Sequence, residues 1–353
     1  MTNYKVGLVG TGVISPAHLR GWQRTTGGVV AGVFDLNRDM AQQRADEFKI
    51  PVVYDSLEQL IMACDVVDVC TPPQSHAAIA QQVLAAGRHL VIEKPLVTAV
   101  ADWDEMAALA QEKQVTITVI HNLKVARCVE QAKKWVDEGR IGQIIRIRRE
   151  FLTSPEADRM LVGNTHWSHQ LPGGRWFETL PHELYLTHYF TGPLEVADVQ
   201  ALHTTNATEG APADEVVITL RGESCLATIH FSANCRQNRR AFTLQGTEGI
   251  IQVDLLGDFA TLSRYQDRRW RRPLGGYMAT ETARDGLHWL PNRCGYLWWQ
   301  LRGQTPHTRI ISAVDRYLRG EGGPLTPLDE IDYVVRNCDR IGREIDRQVK
   351  QVA

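Results

Sequence analysis

The chain has 353 residues, of which 43% are hydrophobic and 23% charged, an ordinary globular composition that excludes disorder and collagen-like repeats. At roughly 150 residues per domain it holds about two domains, and no stretch reaches the roughly 18 apolar residues of a membrane span. Its formal charge of −2 is too balanced for nucleic acid or an anionic membrane to be the main partner.

Apolar, β-branched runs at 4–9, 29–34, 52–54, 65–70, 89–92 and 115–120 predict strands, with helical patterns at 38–48, 75–86 and 98–113 between them. Thr98 is the expected N-cap of the last helix, and Ala86-Gly87 the stop of the one before it. The runs are continuous rather than alternating, as a parallel sheet covered on both faces requires. Residues 1–122 therefore read as a doubly wound Rossmann domain of six βα units.

After a helix at about 126–138 the rhythm changes. Period-two runs at 144–151, 195–203, 215–220, 225–232, 241–244, 250–255 and 260–264 are separated by tight turns such as Gly246-Thr247-Glu248-Gly249. They predict a meander on an open, mostly antiparallel sheet, with helices near 180–190, 309–318 and 329–349. Residues 123–353 thus form an α+β domain for substrate binding and oligomerisation. The dense basic cluster Arg264, Arg268, Arg269, Arg271 and Arg272 reads as a solvated loop. Seven cysteines with no C-x-x-C pair suit a reducing compartment and offer no zinc framework. A cytoplasmic protein is expected.

The first strand runs into Gly10-Thr11-Gly12-Val13-Ile14-Ser15. Gly10 permits a tight turn, and Gly12 lets the backbone approach a pyrophosphate at the N-terminus of the following helix, with Val13 and Ile14 beside it. Ser15 stands where a third glycine is usual. Asp35 ends the second strand, where a carboxylate accepts hydrogen bonds from ribose hydroxyls and repels a 2′-phosphate, so NAD is expected rather than NADP. Arg38 stacks on adenine or receives a phosphate in the alternative. A turn cap before Asn37 is the plain structural reading of Asp35.

The most specific signal lies between residues 65 and 96. Thr71-Pro72-Pro73-Gln74-Ser75-His76 and Glu93-Lys94-Pro95 both fall at carboxyl ends of predicted strands, where open α/β sheets bind ligands. A lysine beside a cofactor has a pKa lowered toward proton-transfer range. With Gly10-Thr11-Gly12, Asp35, Ala86-Gly87-Arg88-His89, Gly139-Arg140-Ile141-Gly142 and Gly246-Thr247-Glu248-Gly249, these motifs resemble the Gfo/Idh/MocA oxidoreductase family along nearly the whole chain. The resemblance implies NAD(P)-dependent oxidation or reduction of a sugar, cyclitol or similar polyol. Lys94 would be the catalytic lysine, and Thr71, Pro72 and His76, with Glu93, would line the cofactor. Dimers or tetramers through the open sheet are also implied.

The family's second signature, an acid followed four residues later by a His, appears as Gly173-Gly174-Arg175-Trp176-Phe177-Glu178-Thr179-Leu180-Pro181-His182. Here Glu178 replaces the usual Asp, and i and i+4 share a helical face, so Glu178 orients His182. Pro181 suggests that Glu178 sits just before the helical turn. Tyr185 stands where the family usually has an Asp that meets substrate. His182-Glu183 is no zinc-protease helix, because position 186 is Leu186, and His166-x-x-His169 lacks partners at ligand spacing, so no metal is expected.

The loop at 154–176 carries Arg159, His166, Trp167, Arg175 and Trp176, a polar and aromatic set suited to a sugar. Seven of nine Trp follow residue 122; core packing is the competing reading for each, and packing or subunit contact the reading for Trp289, Trp298 and Trp299. Arg236, Arg239 and Arg240 serve an interface or an anionic substrate. The leading reading is an NAD-dependent dehydrogenase in which Lys94 and His182 handle a hydroxyl proton. The alternatives are an NAD-dependent glycoside hydrolase working by transient oxidation and elimination, and a non-catalytic NAD-binding regulator.

Overall fold

The computed structural model describes residues 3–161, 166–204, 213–265 and 304–352. Arg268, Arg269, Arg271, Arg272, Trp289, Trp298 and Trp299 lie outside the described residues. Two compact units emerge: residues 1–122, 180–182 and 305–340 form one, and residues 123–179, 183–304 and 341–353 the other. The first unit takes in residues 180–182 and 305–340, which the sequence reading placed in the span 123–353.

The first unit is built on strands β1 (Tyr4–Val9), β2 (Gly28–Phe34), β3 (Val66–Val69), β4 (His89–Ile92) and β5 (Ile117–Val119), all parallel, in the order β2-β1-β3-β4-β5. The run at 52–54 makes only an isolated bridge, Val33 to Val53, not a sixth strand. Helices α1 (Ser15–Trp22), α2 (Arg38–Phe48), α3 (Leu57–Ala63), α4 (His76–Ala85) and α5 (Val100–Lys113) connect the strands. The sequence reading missed α3, which Ser56 caps by accepting the Gln59 N–H. It misplaced the start of α5, whose N-cap is Ala99 with no side-chain hydrogen bond, not Thr98. The core of Val67, Val69, Leu90, Ile92 and Met106 is closed by Ile331 and Val335 from the C-terminal part of the chain.

The chain order reverses between β1 and β3: β1 leads outward to β2, and β3 begins the run on the other side. That switch point places the loops after β1, β3 and β4 at one carboxyl edge, the ligand-binding edge of such sheets.

The second unit contains α6 (Arg127–Asp137), β6 (Ile144–Leu152), α7 (Arg175–Thr191) apart from residues 180–182, β7 (Glu195–Leu202), β8 (Glu215–Arg221), β9 (Leu226–Ser232), β10 (Arg239–Gly246), β11 (Gly249–Asp254) and β12 (Phe259–Arg264). The sheet order β12-β11-β10-β6-β9-β8-β7 is not one continuous meander. Two three-stranded meanders flank β6, which pairs parallel with β9 and antiparallel with β10. Alternation along β6 buries Ile147, Arg149 and Phe151 and exposes Arg146 and Arg148. Helices α8 (Pro306–Leu318) and α9 (Leu328–Val352) complete the described chain. Thr305 begins α8 with a reciprocal capping box to Thr308.

Candidate active site

The turn after β1 is shaped by two glycines for different reasons. Gly10 has φ +89°, and a Cβ there would stand 2.7 Å from Thr71 Cγ2 and 2.9 Å from the Cys70 carbonyl carbon. Only glycine lets the ends of β1 and β3 approach so closely. A Cβ on Gly12 would meet nothing within 4 Å, so its face is open to a ligand. Val13 is fully exposed, and Ile14 is the N-cap residue of α1 without a side-chain cap. Ser15 Oγ donates to the Gly12 carbonyl at 2.8 Å, closing the turn in place of the third glycine.

Asp35 holds this turn as well as ending β2. Its Oδ2 accepts the Thr11 N–H at 2.7 Å and the Thr11 hydroxyl at 3.0 Å, and its Oδ1 accepts the Asn37 N–H at 2.9 Å. These contacts make Asp35 an anchor of the Gly-rich turn as well as a cap before Asn37. Arg38 pairs with Asp55 at the surface.

The loops after β3 and β4 are bolted together by His76. Its ring is buried; Nδ1 lies 2.9 Å from the Pro95 carbonyl and 3.0 Å from that of Leu96, and Nε2 lies 2.8 Å from the Thr71 carbonyl. Burial holds its pKa below the ordinary value. The ring is enclosed and acts as a strut, so its side chain does not line an open cofactor surface as the sequence suggested. Pro72 leads into a 3-10 turn, Pro73–Ser75, and Ser75 Oγ donates to the Thr71 hydroxyl at 2.8 Å.

Lys94 is half-buried, its bond to Pro95 is cis, and its N–H donates to Glu93 Oε2 at 3.1 Å. Glu93 is buried; burial alone would raise its pKa, but the hydrogen bond and charge of His18, with His307 and Lys94, hold it down at about 2. Lys94, Pro95, Val119, His121 and Pro181 line one small cleft within the first unit. His121 Nδ1 in turn lies 2.7 Å from Glu330 Oε1.

Helix α7 starts at Arg175, earlier than expected, so Glu178 lies in its first turn and Pro181 in its interior. Arg175 is buried. It donates to Asp158 from Nε at 3.1 Å and Nη2 at 2.8 Å, to Glu178 at 2.8 Å and to Thr179 Oγ1 at 2.6 Å. Trp176, 0% exposed, stacks on Phe231 with ring centroids 5.1 Å apart and donates to the Ala213 carbonyl. Tyr185 is also 0% exposed, and its hydroxyl accepts the Leu123 N–H at 3.1 Å.

These three placements correct the sequence reading. Arg175, Trp176 and Tyr185 are committed to the interior of the second unit, where a buried guanidinium must be paired and an indole fills volume. The other three proposed substrate residues are accessible. Arg159 is exposed; His166 is half-buried with Nδ1 2.8 Å from Ser168 Oγ, and Trp167 packs its ring 5.0 Å from that of His166. Burial, with the charges of His169 and Arg175, lowers the pKa of His166. His182 is half-buried.

Residues 4–121 match the model of the oxidoreductase family with an NAD-binding Rossmann fold, and residues 129–252 match the GFO/IDH/MocA C-terminal domain. The chain belongs to the Gfo/Idh/MocA oxidoreductase family. It is 26% identical to levoglucosan dehydrogenase of Pseudarthrobacter phenanthrenivorans over 286 residues, 71% of this chain and 73% of that one. Its fold is shared by the WlbA dehydrogenase of Bordetella pertussis, solved with NADH and UDP-GlcNAcA, at TM-score 0.78 and 20% identity over 98% of this chain and 96% of that one. A biliverdin reductase from Synechocystis, solved with biliverdin and NADP+, aligns at TM-score 0.67 and 20% identity over 96% of this chain and 98% of that one.

This Gfo/Idh/MocA chain also brings together residues that no motif announced. Asp68 sits inside the otherwise apolar strand Val66–Val69, is 0% exposed and faces His18 of α1, which in turn reaches Glu93. A carboxylate in a fully buried strand was the available signal, because such a group must find a partner.

Proposed function

We propose that the protein is an NAD-dependent dehydrogenase acting on a hydroxyl or ketone of a sugar, cyclitol or sugar derivative. The observation that carries this reading is the environment of Lys94. It lies just past β4 at the ligand-binding edge, beside an ionised Glu93, in a cleft shared with Pro181, the residue before His182. The named activities of relatives, levoglucosan dehydrogenase and UDP-N-acetylglucosamine 3-dehydrogenase among them, support the sugar class.

The open face of Gly12 and the left-handed Gly10 form a cradle suited to a pyrophosphate. Bound NAD supplies the hydride acceptor. Lys94 and His182 hold and move the proton of the reacting hydroxyl, as a positioned acid–base pair does. Glu178, fixed by Arg175 and Thr179, places a carboxylate one turn before His182. Arg159, His166 and Trp167 supply polar and aromatic contacts for a polyhydroxylated substrate. Asp35 favours NAD over NADP by repelling a 2′-phosphate. Exposed Leu202, Val217 and Leu226 on the outer sheet face support a homodimer or homotetramer through that sheet, which light scattering tests.

A panel of aldoses, uronates, inositols, anhydrosugars and glycosides with NAD and with NADP tests the function. A sugar-dependent rise of NADH absorbance is expected. Release of an aglycone with no net NADH would replace the dehydrogenase with the hydrolase reading, and no turnover with any of them would remove the sugar class.

A further inference from the structure

Beneath the Lys94 turn lies a chain of buried charge drawn from four elements. His18 of α1 places Nδ1 3.0 and 2.9 Å from the two oxygens of Asp68 on β3 and Nε2 2.9 Å from Glu93 Oε1 at the end of β4. Asp68 also accepts the Trp22 indole N–H at 2.7 Å, with Cys70 Sγ 3.9 Å from its Oδ1. From α8, His307 brings Nε2 to 3.7 Å from Glu93 Oε1 and stacks obliquely at 5.9 Å from the His18 ring.

We propose that His18 is a positioning residue for the Lys94 turn: a permanently protonated imidazole, clamped between Asp68 and Glu93, that fixes the carboxylate to which the Lys94 N–H is bonded. The geometry supports the charge directly. Each ring nitrogen faces a carboxylate oxygen, and only the imidazolium has an N–H on both. His18 and Asp68 are 0% exposed and Glu93 6%, so solvent cannot stand in for a missing partner.

The electrostatics agree. Burial opposes the charge on His18, but Asp68, with Cys70, raises its pKa well above the ordinary value. His307 is driven the other way, to about 4, chiefly by burial; the charge of Glu93 opposes this, and those of His18 and Lys94 add to the lowering. One of the two imidazoles near Glu93 is therefore charged and the other neutral at neutral pH. The donor atoms of His18, Glu93 and His307 lie within 4.8 Å of one another, a span a metal ion also fits, but an imidazolium with both nitrogens on carboxylates has no lone pair for one.

The functional weight of this device rests on Lys94 as the acid–base residue, whereas its test needs no turnover. Nitrogen NMR of the full chain, uniformly nitrogen-labelled and NAD-loaded, should show both His18 ring nitrogens protonated from about pH 6 to about pH 9, with the Lys94 backbone amide unmoved. Asp68→Asn removes one clamp and should bring the His18 midpoint down into that window, with the Lys94 amide shifting at the same midpoint. His18→Gln should abolish the transition and displace the Lys94 amide at every pH, a second variant should D68N not fold. A neutral His18 in the wild type, a Lys94 amide that stays still while His18 titrates, or one equivalent of bound metal in the purified protein would overturn the proposal. Loss of turnover in Lys94→Ala tests the acid–base reading separately.

Discussion

The carboxyl edge of the first unit and the start of α7 in the second both carry dense runs of chemistry-bearing residues, but they spend them differently. At the edge, Gly10, Asp35, Glu93 and Lys94 hold their places because the backbone around them requires it, which leaves Gly12 and Val13 facing outward. At α7, Arg175, Trp176 and Tyr185 point inward and meet Asp158, Phe231 and the Leu123 N–H respectively. A residue type suited to recognition is therefore no sign of recognition by itself. The charge and aromatic surface must also remain unspent.

The largest expected effect tests the inward half of that contrast. Trp176→Ala should cost about 3–5 kcal/mol of stability, the usual loss for a fully buried large aromatic, measured by denaturant unfolding. Trp167→Ala, at a half-buried position, should change stability by less than about 1 kcal/mol and raise KM instead. Equal stability losses in the two would erase the distinction between them.

Lys94→Ala sharpens the other half. Turnover should fall roughly 100-fold or more, the loss of an acid–base group, equivalent to about 2.7 kcal/mol of barrier, while NADH affinity by fluorescence titration stays close to wild type. Near-normal turnover would remove Lys94 from the chemistry.

Asp35→Ser should cost at least roughly tenfold in NAD affinity relative to NADP, since hydrogen bonds to a charged group contribute about 1.5–3 kcal/mol. It should also loosen the turn that Thr11 anchors. Paired Kd measurements for the two dinucleotides decide it; an unchanged ratio would leave Asp35 as a turn anchor only.

The most gradual effect is a pH dependence of stability. His307 has a folded pKa near 4 against about 6.5 unfolded, so the unfolded chain takes up a proton first and stability erodes as pH falls from about 6.5 to about 4. Glu93, depressed to about 2, adds a loss that begins below about pH 4.5 and continues through its folded value. Thermal melts across this range should show both phases, and His307→Gln should flatten the first.

Legibility in the sequence follows sequence separation. The Gly-rich turn and Glu93-Lys94-Pro95 are short segments in which neighbouring residues set the backbone, so their role at the sheet edge is readable from the strand runs that precede them. The His18 clamp joins residues 50 and 75 positions apart; Glu93 lies in a readable motif and Asp68 is a carboxylate in an otherwise apolar strand, but neither segment points to His18. The parallel β6–β9 pairing is likewise invisible, because alternation reports which face a strand buries and not which strand lies beside it.

Composition pointed to about two domains, and periodicity with local turn chemistry determined a Rossmann sheet followed by a second, mostly antiparallel one. The Trp surplus after residue 122 was equally plain in the sequence. Only tertiary structure decided that Trp176 is buried against Phe231 while Trp167 stays accessible, that Arg175 is paired with Asp158, and that His18 stands behind Glu93. Desolvation is the reason. What a polar or aromatic side chain does depends on which partners replace its water, and those partners come from distant parts of the chain.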